Sequence, residues 1–258
     1  MKEELLFHIR RIPTFELVDV FVRDGALVKQ PHLRAIVEQG KNDAIAVVSD
    51  KYNLVQIKDL FENVVECCRS EVDGEVFYYR GKGDLCVFPE DSDVGLLVQN
   101  SVDLSSAVRI SFCTRTKNGI FSIPSEVASP FVRIHTAREI QVQIEHYLAL
   151  LDRVKPAWEQ IVEHLAALEL NHEDIEALKR DIGAGKRLSE IIDEYLDPEQ
   201  DTFAPIKFWD FIQIVVKAIE KRNYKTTFHL SRKIRKVGDA ILQWAVFEKL
   251  RLSAVTMQ

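Results

Sequence analysis

Apolar and polar positions alternate along much of the first half of the chain. FELVDVFV (15–22) has a period of two, which predicts a strand, and Asp24-Gly25 behind it predicts a tight hairpin turn. AIAVVS (44–49) is a short apolar run suited to a buried strand. EVFYYR (75–80) and LCVF (85–88) flank the turn signal GKGD (81–84). VGLLVQ (94–99), AVRISFC (107–113), IFSI (120–123) and FVRI (131–134) continue the series, with Asn118-Gly119 as a further hairpin turn. The links are too short for helical crossovers, so antiparallel pairing is expected.

One helix interrupts the strands. In IKDLFENVVECC, residues Ile57, Leu60, Phe61, Val64, Val65 and Cys68 fall on one helical stripe, which suits packing against the sheet. After Thr136 the period changes for good. Ile140, Ile144, Leu148, Leu151, Trp158, Ile161, Val162 and Leu165 recur at helical spacing, with Pro156 expected to kink or break the run. Asn171 reads as the N-cap of a shorter helix that Gly183 and Gly185 end. RLSEIIDEYL is helical, 197–205 reads as a loop, and the segments after it make two helices or one bent at Asn223. The expected fold class is α+β: an antiparallel sheet with one packed helix over 1–136, and a helical region over 137–258 packed on it.

Composition adds bounds. Of 258 residues, 47% are hydrophobic and 29% charged, which is enough for a sizeable core. No apolar run is long enough to span a membrane. MKEELLFHIRR lacks the apolar core of a signal peptide. Cys67, Cys68, Cys86 and Cys113 form no CxxC pair and read as reduced thiols, so a cytoplasmic setting is expected. The net charge is −6, unevenly spread. Residues 204–258 hold eleven Lys/Arg and four Asp/Glu, or +7, which leaves −13 for the rest.

Familiar chemical motifs are mostly missing. DIGAGKR (181–187) lacks the first Gly and the Ser/Thr of a phosphate loop, so a helix C-cap is the better account. The seven histidines show no HExxH pattern, and there is no GxSxG elbow. No catalytic residue, metal or cofactor is assigned. The strongest physical signal is basic. Lys221, Arg222, Lys225, Arg232, Lys233, Arg235 and Lys236 occur within 16 residues that hold no acid. On a helix, Arg232, Arg235 and Lys236 would share a face opposite Phe228, Ile234, Ile241 and Trp244. That face could neutralise phosphates, or it could be a solvated face paired with the acidic helices of 139–201. In RGKG (80–83), Arg80 and Lys82 could add a basic fingertip beside stacking tyrosines, or simply form a hairpin turn.

The second candidate is a polar knot between two strands: Asn100, Ser101, Asp103, Ser105 and Ser106. Such residues commonly bond their own backbone. Alternatively they form a polar rim with Arg109, Arg115, Arg133 and His135, in which Asp103 orients a guanidinium that holds an anion.

Two of these segments carry a family resemblance. SDKYNLVQIKDLF (49–61) resembles the S-D-x-Y-x-x-V-Q opening of the phage- and plasmid-associated family known as domain of unknown function 932. NSVDLSSAVR (100–109) is similar to its N-S-x-D-G-S-S-A-V-R segment, with Leu104 where that pattern has Gly. Asn118-Gly119, RIHT (133–136) and FWDFIQIVVKAIEKRNY match later elements more loosely. The resemblance implies a mobile-element gene without established chemistry. Three functions follow as expectations. The first is a non-enzymatic protein that binds or anneals single-stranded DNA. The second is a protein-interaction module, such as a counter-defence factor, that meets a host or phage protein through the acidic segment 159–201. The third is an enzyme with a site at Asp103, Arg109, Arg115 and His135. Oligomers are compatible with each.

Overall fold

The computed structural model describes residues 1–24, 26–103, 107–133, 137–196 and 205–250. The architecture is α+β, with antiparallel strands and packed helices in the N-terminal half and a mostly helical C-terminal half. The chain divides into two compact units. One comprises Met1–Phe112 and Pro130–Leu150, the other Cys113–Ser129 and Leu151–Gln258.

The first unit opens with helix α1 (Lys2–Arg10), followed by strands β1 (Phe15–Asp24), β2 (Ala26–Glu38) and β3 (Ala44–Ser49). These three strands form an antiparallel sheet in the order β1-β2-β3. The register of β1 on β2 shifts after Asp19, because residues 31–33 of β2 are extra to the ladder. Pro31 sits in that bulge, where its missing N–H breaks no ladder bond. Neither α1 nor β2 follows from the periodicity of the sequence.

Helix α2 (Ile57–Cys67) comes next, then β4 (Val72–Tyr79), β5 (Lys82–Pro89), β6 (Val94–Ser101) and β7 (Val108–Thr116). They form a second sheet in the order β4-β5-β6-β7. The apolar stripe of α2 is buried as the spacing predicts: Ile57, Leu60, Phe61, Val64 and Val65 are each at most 3% exposed. It packs over Gly83 of β5, where an added Cβ would stand 2.6 Å from Ile57 and 3.0 Å from the Phe61 ring. A side chain at position 83 would therefore lift the helix off the strand.

β7 continues into the second unit, where Cys113–Thr116 pair with β8 (Gly119–Ser122) across the Asn118-Gly119 turn. Back in the first unit, β9 (Phe131–Arg133) pairs with Val108–Ile110. Helix α3 (Ala137–Ala167) runs unbroken through Pro156. Val154 and Trp158, on either side of that proline, are 2% and 1% exposed. Their burial holds the helix across the one backbone bond that proline removes.

The rest of the second unit is β10 (Glu169–Leu170), α4 (His172–Asp181), α5 (Lys186–Tyr195), β11 (Ile206–Lys207), α6 (Phe208–Glu220), α7 (Thr227–Trp244) and a π-helical turn over Ala245–Lys249. Asn171 caps α4 in a reciprocal capping box with Asp174. Gly183, at φ 58°, ends it, so DIGAGKR is a helix-to-helix turn. α6 and α7 are separate helices, and the side chain of Thr226 caps the second. α7 lies close over β8: an added Cβ on Gly238 would meet the Phe121 ring at 2.2 Å, and Asp239 accepts the Ser122 N–H at 2.7 Å. The loop expected over 197–205 falls, except for Pro205, outside the described residues.

Candidate functional site

The basic fingertip is a tight hairpin turn. Tyr79 pairs with Lys82 across the end of the β4–β5 ladder, and Arg80 and Gly81 between them have φ of 44° and 76°. Two positive φ values make a primed turn, the type that matches the twist of paired strands. Arg80 occupies the left-handed region without glycine's freedom, at some strain. The Tyr78 hydroxyl accepts the Gly81 N–H at 3.0 Å, and burial pushes its pKa up. Arg80 reaches over the Tyr79 ring at 5.5 Å. Lys82 turns the other way, 3.1 Å from Asp103.

That ion pair joins the two sequence-derived candidates. Asn100 and Ser101 are the last residues of β6, both fully buried. Asn100 donates to the Val55 carbonyl at 3.1 Å and so ties the segment before α2 to the sheet. Asp103 is half-buried, beside Lys82 and near Tyr52. Burial first, and then the Asp103 charge, push the Tyr52 phenol up to about 12. The polar knot is thus largely a structural corner that fixes the hairpin tip, the end of β6 and the approach to α2.

Its proposed guanidinium partners are dispersed. Arg109 stands exposed on β7 opposite Val132 of β9, in the first unit. Arg115 lies on the part of β7 that belongs to the second unit, opposite Ile120. Arg133 closes β9 opposite Val108; its backbone is described and its side chain is not. Ser105, Ser106 and His135 lie outside the described residues.

The basic segment of the second unit splits in the same way. Arg235 is 4% exposed and donates to Ser231 at 3.4 Å, so it faces inward with Val237, Gly238, Ile241 and Leu242 and leaves the solvent face. Of the stripe expected to be buried, Phe228 and Ile241 are, while Ile234 and Trp244 are half-buried. Arg232 stacks over Phe228 at 4.5 Å. Lys221 sits 4.3 Å over the Tyr195 ring and 3.9 Å from Glu194. Arg222, Lys225 and Lys236 are exposed. Lys233 is half-buried, and its pKa is pushed down by burial and then by the Lys236 and Arg222 charges, so these three cations crowd one another.

The acidic helices use part of their charge internally. Lys179 of α4, 8% exposed at its side chain, bonds Glu176 at 2.6 Å and also Asp193 of α5. Asp174 takes Lys249 at 2.5 Å besides its cap.

The feature that sequence reading missed is the far end of the β1–β2 hairpin. β3 pairs with β2 only over Leu33–Val37, so residues 20–24 and 26–30 project as a two-stranded arm with no third strand among the described residues. Phe21, Val22, Leu27 and Val28 on this arm are 54%, 47%, 74% and 49% exposed. They lie on both faces: Val22 opposes Val28, and Phe21 is diagonal to Leu27. The signal was present in FVRDGALV, two short apolar runs about a turn, but only a pairing partner for β1 makes it legible.

Among the described residues no cluster of His, Cys, Asp and Glu could hold a metal ion, and no helix is long and apolar enough to cross a membrane. The four cysteines are free thiols. No family model, curated protein or solved structure matches this chain.

Proposed function

We propose that this protein is a protein-interaction module whose docking element is the β1–β2 arm. The observation that carries this reading is four large apolar side chains, each about half exposed or more, on a hairpin that extends past its own sheet. A lone two-stranded hairpin is only marginally stable in water, and exposed apolar side chains on both of its faces add nothing to its own fold. Both become favourable when a partner covers them. The acidic segment 159–201 is a weaker docking candidate, since Lys179 and Lys249 already engage part of its charge.

Photo-crosslinking tests this directly. Benzoylphenylalanine at position 21, where Phe21 is 54% exposed on the arm, should form adducts with protein. The same probe at exposed Gln243 on α7 should not. Equal labelling from both positions, or none from 21, would sink the reading.

The crowding of Arg222, Lys233 and Lys236 favours a second reading, nucleic-acid binding at the start of α7. A polyanion would relieve the mutual repulsion, and its affinity would fall steeply with salt. The contact set is smaller than the sequence suggests, because Arg235 is buried and Lys82 is held by Asp103. Fluorescence anisotropy with a single-stranded oligonucleotide at low salt tests it; no binding there removes it.

A further inference from the structure

We propose that the partner of the arm is a second copy of this chain, paired antiparallel through the outer edge of β1 in a register centred on Phe21. The inference rests on the interaction reading above and names its partner.

β1 is an edge strand, with β2 on one side and no strand on the other among the described residues. The direction of its backbone groups is fixed at its start. Thr14 accepts the Gln39 N–H, so residue 14 faces β2. Phe15 N–H and C=O are both taken by the Gln56 side-chain amide, at 3.0 and 2.6 Å, on the opposite edge. Alternation along a strand then turns the backbone groups of Leu17, Asp19, Phe21 and Arg23 outward. Gln56 covers the edge at Phe15, and beyond it no strand pairs with that edge among the described residues.

The sequence on that edge is self-complementary. Asp19-Val20-Phe21-Val22-Arg23 has an apolar palindrome at its centre and opposite charges at its ends. In a two-fold antiparallel pair centred on Phe21, Phe21 faces its own copy and Val20 faces Val22. Asp19 faces Arg23 twice, once on each side of the axis. Residues 19, 21 and 23 are the outward ones, so each of these pairs can exchange both backbone bonds.

Other registers lose this match. Centring on Val20 sets Arg23 against Leu17, and centring on Val22 sets it against Phe21. Centring on Asp19 or Arg23 opposes like charges. Asp19 already bonds Lys29 at 2.5 Å and Arg34 on its own β2, and its carboxylate keeps 35% exposure for a third donor. The four-stranded arm so formed would bring the Phe21 rings together and pair Val22 with Val20 of the other copy.

The test uses the full chain. Phe21→Cys should become a disulfide-linked dimer of twice 29.7 kDa under mild oxidation, because the residue meets itself across the axis at about 5.5 Å between Cα atoms. Val28→Cys, on the strand away from the proposed edge, should not, and the unsubstituted chain controls for the half-buried Cys67. Sedimentation over about 1 to about 100 μM should show a reversible dimer for the natural chain. Arg23→Asp, which opposes two carboxylates, should weaken it about tenfold or more. Thermal unfolding confirms that each variant is folded. A mass fixed at 29.7 kDa throughout, or equal cross-linking at positions 21 and 28, overturns the pairing. If the probe at position 21 labels only other proteins, self-pairing fails and the interaction reading stands; if it labels no protein, both fail.

Discussion

Lys82 and Asp103 form an ion pair at 3.1 Å that locks the β4–β5 hairpin to the end of β6. In sequence they belong to two unrelated candidates, a basic fingertip and a polar loop. In the fold each is the other's partner, so neither is wholly available to a ligand.

The pair is only 30% and 19% exposed at its side chains. Lys82→Ala should cost about 0.5–1 kcal/mol in urea unfolding, and the loss should shrink in high salt. A double-mutant cycle with Asp103→Asn should recover most of that value as coupling. A cycle energy near zero would show that the two side chains act independently. In the nucleic-acid reading, Lys82→Ala should leave oligonucleotide affinity unchanged while Lys236→Ala lowers it.

Gly238 sits inside α7, where alanine would normally add about 1 kcal/mol to helix stability. Here the added methyl would enter the Phe121 ring of β8 at 2.2 Å. Gly238→Ala should therefore destabilise the protein by about 1–3 kcal/mol, against its helix propensity. Pairing it with Phe121→Leu should restore part of the loss, since the smaller side chain makes room. Calorimetric Tm values for the single and double variants check this.

The buried Lys179 predicts an asymmetry. Burial alone would lower its pKa, but bonds to Asp193 and Glu176 outweigh burial and raise it. The Lys179 hydrogen bond in turn holds Glu176 below the usual carboxylate range. Replacing the lysine by methionine removes a desolvated charge together with the need for partners, so Lys179→Met should be near neutral in stability. Glu176→Gln with Asp193→Asn leaves the ammonium buried without a carboxylate and should cost about 3 kcal/mol.

The pH dependence follows from the same two shifts. A lysine raised above its unfolded value of 10.5 stabilises fully below that pH and loses the contribution as pH climbs through the folded value. A glutamate lowered below 4.5 stabilises fully above that pH and loses the contribution as pH falls through its folded value. The Tm gap between the natural chain and the double variant should be widest between about pH 5 and 10 and close at both ends. A gap that stays constant from pH 3 to 11 would mean that charge is not its source.

Helix α2 is readable because it buries one stripe, which writes a period into sequence, while β5 and β6 are buried on both faces and read as continuous apolar runs between turn signals. β2 is not readable. Its segment KQPHLR carries the Pro31 bulge and mostly exposed residues, so no alternation marks it. α1 hides for a different reason: nine residues give too few turns for a period, and only Leu5, Leu6 and Ile9 are buried. Pro156 misleads because flanking burial outweighs one missing hydrogen bond. The candidate sites were legible as motifs and not as geometry. Position in sequence says that Arg235 follows Arg232 by one turn, but only the packed fold decides that Arg235 is buried while Arg232 is half-buried. Losing β2 also hid the arm, since an exposed apolar hairpin requires both of its strands.

The central claim is that the arm carries the binding surface, and sedimentation velocity tests it most directly. The labelled natural chain, alone at rising concentration and in extract of the cells it comes from, should sediment faster than a 29.7 kDa particle. A variant with Phe21, Val22, Leu27 and Val28 replaced by serine should keep its thermal unfolding transition and sediment as the free chain. If both sediment alike under every condition, the arm is not the docking element and the account is contradicted.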